Sequence, residues 1–271
     1  MLRKLSIITI NFNNQIGLKN TIESVVSQTF TDYEYIVIDG GSTDKSVDII
    51  KQYSDKISYW VSEQDAGIYN AMNKGIKKAT GEYCLFLNSG DCLFDKTSLN
   101  QAFSLNPVSD IVCFDAMFVK DEIEEIHTYP DEISFYYFYQ GSLCHQSLFY
   151  KRVLFEKHGF YNEDFKVVSD WAFNIQSLII NNCSYHHYPL TFVKYNFEGL
   201  CVSEDGLKIN HKEREQVLSS LFQKRILNDY ENFKIFKENK VILKLTSIKS
   251  DFLKSLLFQI LRVIKKIDSI I

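Results

Sequence analysis

The sequence predicts an α/β protein: a mostly parallel central sheet with helices on both faces, followed by an amphipathic helical tail. Three observations predict it. Short apolar runs alternate with amphipathic stretches through residues 5–90, the pattern of strand–helix units whose sheet is covered on both sides. No run of about 18 apolar residues is present, so no membrane-spanning helix is expected. Near the C-terminus, apolar residues recur in steps of three and four with Lys and Arg beside them, which reads as one helical stripe.

The elements follow in order. Leu5–Ile10 and Tyr33–Asp39 are apolar runs of strand length, Tyr59–Val61 is a weaker one, and Glu82–Leu87 is the fourth. Ile16–Gln28 carries Leu18, Ile22, Val25 and Val26 at helical spacing. Thr43 and Asp44 mark a helix start, and Ala66–Ala79 is a third helix closed by Thr80 and Gly81. Further on, Asp110–Val119 and Glu125–Tyr129 read as strands, and the aromatic stretch Ile133–Tyr139 fits a strand or a short helix. Ser169–Ile180 and Glu204–Asn228 read as helices. Residues 1–110 and 111–235 are expected to be two halves of one globular domain, with 236–271 as the appended tail.

Composition sets the class. The chain has 271 residues, 45% apolar and 24% charged, with a net charge of −4. These are values of a soluble globular protein and exclude collagen-like and disordered chains. The N-terminus has a basic start, but its apolar stretch ends at Asn11 without a cleavage site, so no secretory signal is expected. The six cysteines form no C-x-x-C pair and read as buried, reduced thiols of a cytoplasmic protein. Residues 240–271 carry seven basic and two acidic side chains, a net +5 that leaves −9 on the rest. An acidic body is not a nucleic-acid binder; the tail has its own partner. That partner is an anionic inner membrane leaflet, the body itself, or a second copy in a homodimer.

Parallel sheets bind ligands at the carboxyl ends of their strands, so the loops there hold the candidate chemistry. Asp39-Gly-Gly-Ser-Thr-Asp44 joins a strand end to a helix start, which suits a nucleotide but also an ordinary tight turn. It is not the G-x-G-x-x-G dinucleotide fingerprint. Asn88-Ser-Gly-Asp91 offers hard oxygen ligands for Mg²⁺ or Mn²⁺, or simply a turn. Asp170 opens a helix, where it can complement the dipole or act as a general base at a cleft edge. His145 alone is more often structural.

Taken together, these segments resemble family 2 glycosyltransferases of GT-A fold, in particular bacterial enzymes of colanic-acid, O-antigen and capsule polysaccharides. The residues that carry the resemblance are Ser6–Asn13, Gln28-Thr-Phe, Val37–Asp44, Asp65–Ile76, Gly81–Asp91, Gly159–Glu163 and Ser169-Asp-Trp171. The resemblance implies roles. Thr9 and Asn11 would line the nucleotide and Asp39 would bind the base. Asp65, Asn73 and Lys74 would flank the ribose and diphosphate. The metal motif falls on Asn88–Asp91, with Asp91 as ligand and Ser89 and Gly90 beside the donor. His145 and Gln146 would lie near the acceptor or diphosphate, and Asp170 would be the catalytic base. Three departures stand out: Gly40 in place of a second Asp, Met72 in place of an Arg, and Asn88 in place of the first Asp of the metal motif.

The expected activity is inverting transfer from a nucleoside-diphosphate sugar, a UDP-sugar first, to a hydroxyl of a lipid-linked or oligosaccharide acceptor in surface polysaccharide synthesis. It would depend on Mn²⁺ or Mg²⁺ and move a hexosyl or N-acetylhexosaminyl group. The enzyme would be cytoplasmic, peripheral on the inner face of the membrane. The rivals are a non-catalytic sugar-nucleotide-binding module and a nucleotidyltransferase.

Overall fold

The structure, a computed structural model, describes residues 4–120, 123–196, 203–238 and 249–268. The first half follows the expected alternation. Strands β1 (Leu5–Asn11), β2 (Tyr33–Asp39), β3 (Tyr59–Ser62) and β4 (Tyr83–Asn88) are joined by helices α1 (Gln15–Val26), α2 (Ser46–Gln52) and α3 (Ile68–Lys78). All pairings in the run β3-β2-β1-β4 are parallel. β1 is buried along its whole length, as a strand covered on both faces must be. Local chemistry sets the helix starts. The Asn14 side chain accepts from Gly17 N–H at the head of α1, and the Asp44 carboxylate accepts from Ser46 N–H at the head of α2.

Beyond β4 the sheet becomes mixed. β5 (Cys92–Leu93), α4 (Ser98–Ser104), β6 (Ile111–Lys120), β7 (Ile123–His127), α5 (Phe135–Gln140), β8 (Leu148–Lys151), α6 (Val153–His158), α7 (Ser169–Asn174) and β9 (Tyr185–Asn196) follow in sequence. The strand order is β3-β2-β1-β4-β8-β6-β9-β5, with β7 beside β6. β8 pairs antiparallel with both β4 and β6, while β6 and β9 run parallel. The aromatic stretch near 135 is the helix α5, because the Ser134 side chain caps the Tyr137 N–H. α7 widens into a π-helical turn over Ile175–Ile180. Behind it an aromatic core forms around Phe86, Tyr150, Phe155, Tyr161 and Phe173, with Phe155 and Phe173 stacked at 4.6 Å.

The stretch read as one helix from 204 is two: α8 (Glu204–Leu221) and α9 (Lys224–Glu238). Phe222 N–H closes the last turn of the first on Leu218, and Gln223 C=O opens the second. Neither Gly nor Pro marks the break, so periodicity alone runs through it. The chain divides into two compact units, Met1–Val217 and Leu218–Ile271, and the expected boundary near 235 falls inside α9. In the second unit, helix α10 (Asp251–Asp268) exposes Phe252, Leu253, Leu256, Phe258 and Ile260. Leu245, Ile248 and Ile270 of the expected stripe lie outside the described residues. No helix among the described residues is long and apolar enough to cross a membrane. The five described cysteines are free.

Candidate active site

The carboxyl ends of β1 and β2 hold Asn11 and Asp39 side by side. Asp39 is 0% exposed, and its two oxygens accept four hydrogen bonds. Asn11 Nδ2 and Ser42 Oγ donate to Oδ1 at 2.7 and 2.6 Å. Ser42 N–H and Ser62 Oγ donate to Oδ2 at 2.9 and 2.6 Å. Burial raises this carboxyl's pKa, but the bonds from Ser42, Ser62 and Asn11 outweigh it, and the net lies below the ordinary value. A carboxylate has about four acceptor positions, so Asp39 has none left for a base unless a donor departs. Its place is the turn, where Gly41 adopts φ +80°. Beside that turn, at the end of β1, Asn11 Oδ1 is buried without a partner. Thr9 does not reach the cleft. It is fully buried one residue pair earlier, and its hydroxyl accepts from Tyr35 Oη at 3.0 Å.

The expected ribose and diphosphate group is tied up within the protein. Asn73 is buried and clamps the segment before α7: its side chain bonds Tyr161 N–H and C=O and Glu163. Lys74 Nζ pairs with Glu63 at 2.8 Å. Asp65 accepts from Gly67 N–H and lies against Gly40, where an added Cβ would come 2.6 Å from Asp65 Oδ2. A second Asp at position 40 would therefore make the Asp65 side chain shift and would place a like charge beside it. Met72 is fully buried, so a cation at that position would sit in the core.

The loop after β4 is tighter. Gly90 adopts φ +111° and its N–H donates to Thr21. Ser89 C=O accepts from Asn14. Asp91 is 3% exposed and accepts from Gln146 Nε2 at 2.9 Å, Asn88 N–H at 3.1 Å and Asn196 N–H at 3.2 Å. Burial pushes its pKa up to about 6, against the pull of Gln146, the His145 charge and the two backbone donors. Asn88 Oδ1 is buried with no partner. Asp91 and Asn88 thus offer a carboxylate and an amide oxygen, donors that fit a hard divalent cation whose remaining positions go to phosphate or water. Among the described residues no cluster of three His, Cys, Asp or Glu side chains exists.

Asp170, at the start of α7, lines a cavity of about 240 Å³ that also reaches Asn88, His145 and Gln146. Both of its oxygens are held: Tyr69 Oη donates to Oδ1 at 2.7 Å and His145 Nδ1 lies 3.1 Å from Oδ2. On its other side, His145 Nε2 lies 3.4 Å from Asn88 Nδ2. Burial raises the Asp170 pKa, but the bond and charge of His145, then Tyr69 and the Trp171 N–H, bring it below the ordinary value. The two loops therefore meet. Gln146 holds Asp91 while its neighbour His145 links Asn88 to Asp170.

Sequence reasoning missed Tyr69, Trp171 and Arg214 as parts of this cavity. Trp171 Nε1 donates to the Phe138 and Gly141 carbonyls, fixing the cavity wall. Arg214 of α8 lies 4.5 Å over the Trp171 ring and donates to Gly141 C=O. Glu213, beside it, accepts from the N–H groups of Lys166 and Val167. Nothing local in α8 marks Arg214. Tyr69 sits inside a recognised motif, but its target is a hundred residues away.

Comparison with known proteins agrees with this architecture. The family model for glycosyl transferase family 2 matches residues 6–162. The chain therefore belongs to the family 2 glycosyltransferases. A PGL/p-HBAD biosynthesis glycosyltransferase of Mycobacterium bovis is 32% identical over 178 residues, covering 63% of this chain and 68% of that protein. A glycosyltransferase of Rickettsia typhi is 26% identical over 82% of this chain and 72% of its own. The S. aureus TarS fragment 1–349 with UDP-GlcNAc superposes with a TM-score of 0.64 at 19% identity, over 91% of this chain and 76% of that one. This chain spans 46% of the longer TarS structure. A Pyrobaculum calidifontis mannosyltransferase with GDP-Man and Mn²⁺ gives a TM-score of 0.56 at 15% identity, over 73% of this chain and 58% of that one. At these identities the structural likeness speaks to the GT-A fold.

Proposed function

We propose that the protein transfers a sugar, with inversion, from a nucleoside-diphosphate sugar to an acceptor hydroxyl. One observation carries this reading: Asp170 lines the same cavity as the loop of Asn88 and is held there on both oxygens. Its carboxylate, kept ionised, takes the proton from the acceptor hydroxyl. The freed oxygen attacks the anomeric carbon from the face opposite the diphosphate. The bond from that carbon to the diphosphate oxygen breaks, and the nucleoside diphosphate leaves with the bonding pair. His145 and Tyr69 fix the carboxylate's direction, so that attack starts from a positioned base.

TarS with UDP-GlcNAc and the mannosyltransferase with GDP-Man support a nucleotide-sugar donor, and a UDP-sugar is the first choice. Asn11 Oδ1, the open acceptor beside the saturated Asp39, would receive the base N–H. Asp91 and Asn88 would hold Mg²⁺ or Mn²⁺. When bound, the ion neutralises charge on the diphosphate. A lipid-linked acceptor fits α10, whose exposed apolar residues and Lys254 and Arg262 suit an anionic bilayer surface.

A thermal-shift panel of nucleotide sugars with Mn²⁺, followed by nucleoside-diphosphate release without acceptor, tests the donor. One donor raises the melting point and is slowly hydrolysed. No response across UDP-, GDP- and dTDP-sugars ends this reading. Liposome flotation with and without residues 240–271 tests the membrane contact, and unchanged flotation retires it.

A further inference from the structure

The cavity contains a charge that the transfer chemistry above does not use. Arg214 and Lys166 both line it, together with Trp171, Asn210 and Asp170. Arg214 is held by one carbonyl and one aromatic face, and its Nε is buried without a partner. Glu213 is not its counter-ion, since that carboxylate accepts from two backbone N–H groups of 166 and 167. Among the described residues neither Arg214 nor Lys166 forms an ion pair. The carboxylate that acts on Arg214 is Asp170 in the same cavity, without ion-pair contact, so a partly buried guanidinium with an unpartnered Nε is left able to receive a further anion.

We propose that Arg214 and Lys166 form an anion-binding subsite for the acceptor, which carries a phosphate group close to the hydroxyl that is glycosylated. The proposal rests on the reading of Asp170 as the group facing the acceptor. The contacts run in order from the metal loop to the subsite: Asn88 touches His145, His145 holds Asp170, and Trp171, which follows it, carries Arg214. Arg214 therefore stands beyond the base from the metal loop, Lys166 lines the same cavity, and with Asp170 as base that is the acceptor's side. Two cations match the charge of roughly −2 on a phosphate monoester better than the single charge of a carboxylate. Arg214 supplies a planar fork and Lys166 an exposed point charge. The competing source of the same chemistry is the donor's own diphosphate.

Calorimetric titration of sn-glycerol 3-phosphate into the full-length chain, with and without saturating UDP, separates the two sources. The wild type binds glycerol 3-phosphate in the presence of UDP and does not bind glycerol. Arg214→Gln and Lys166→Gln each weaken that binding about tenfold or more. Lys224→Gln, an exposed lysine outside the cavity, leaves it unchanged. Displacement of glycerol 3-phosphate by UDP assigns the cations to the donor and overturns the proposal. So does equal binding by wild type and Arg214→Gln, which would make Arg214 only a clip between α8 and α7. If Arg214→Gln fails to fold, Arg214→Lys and Lys166→Gln carry the test, the first keeping charge while losing the fork. If UDP does not bind at all, the donor reading fails by itself, and glycerol 3-phosphate binding to the UDP-free protein still decides the subsite.

Discussion

Asp39 and Asp170 are both buried carboxylates at the carboxyl-end rim of one sheet, and both have pKa values below the ordinary range. Their surroundings assign them different work. Asp39 is fully enclosed, and the four donors it accepts from all belong to β1, the β2–α2 turn and the end of β3. It organises a loop. Asp170 opens onto a cavity, and its two side-chain partners come from α3 and from the turn before β8. It is aimed rather than enclosed. The hydrogen-bond count together with access to a cavity distinguishes the two carboxylates, and under the proposed mechanism only Asp170 does chemistry.

Substitutions at the two positions should separate rate from stability. The largest effect is expected from Asp170→Asn: a loss of about 10²–10⁴-fold in transfer rate, with nucleotide affinity nearly unchanged in a UDP titration. A variant with near wild-type turnover would remove Asp170 from the base role. Asp39→Ala should instead cost stability, on the order of 3 kcal/mol, because several buried donors lose their acceptor; urea unfolding reads it. The sign with pH follows from the lowered pKa of Asp39. Its stabilisation is present above the unfolded carboxylate value of about 4 and is lost as pH falls through the folded value. Asp39→Asn should flatten that acid-side loss, and an unchanged pH dependence would deny Asp39 its structural charge.

Smaller effects sharpen the same contrast. Gly40→Asp should destabilise by about 0.5–1 kcal/mol, chiefly through like charge beside a displaced Asp65, and Asp65→Ala should relieve most of it. Tyr69→Phe removes one donor to the Asp170 carboxylate. It should lower transfer about tenfold and raise the pH at which Asp170 titrates, because the charged form loses support. A carboxyl-carbon NMR titration of Asp170 reads that shift, and a titration that stays put would leave Tyr69 as packing only. Chelation of divalent ions should weaken donor binding in the wild type and much less in Asp91→Ala, a difference a thermal-shift titration with Mn²⁺ resolves.

The sequence by itself determined the first half of the fold. Four apolar runs and three amphipathic helices predict β1–β4 and α1–α3, because period and capping are local properties. The helix starts at Asn14 and Asp44 are of this kind. The second half was less legible. β8 has four residues and depends on neighbours on both sides, and the break between α8 and α9 has no residue that announces it.

The candidate site divides the same way. Asp91, His145 and Asp170 stand in recognisable motifs, and the structure joins their loops. The motif could not say that Thr9 is sealed in the core, that Asp39 is saturated, or that Asn73 and Lys74 bind their own chain. Nor could it place Arg214 on Trp171, or Tyr69 on a carboxylate far along the chain. Residue identity fixes which hydrogen bonds a side chain can make. Which ones it does make depends on partners that only the packed sheet brings within about 3 Å.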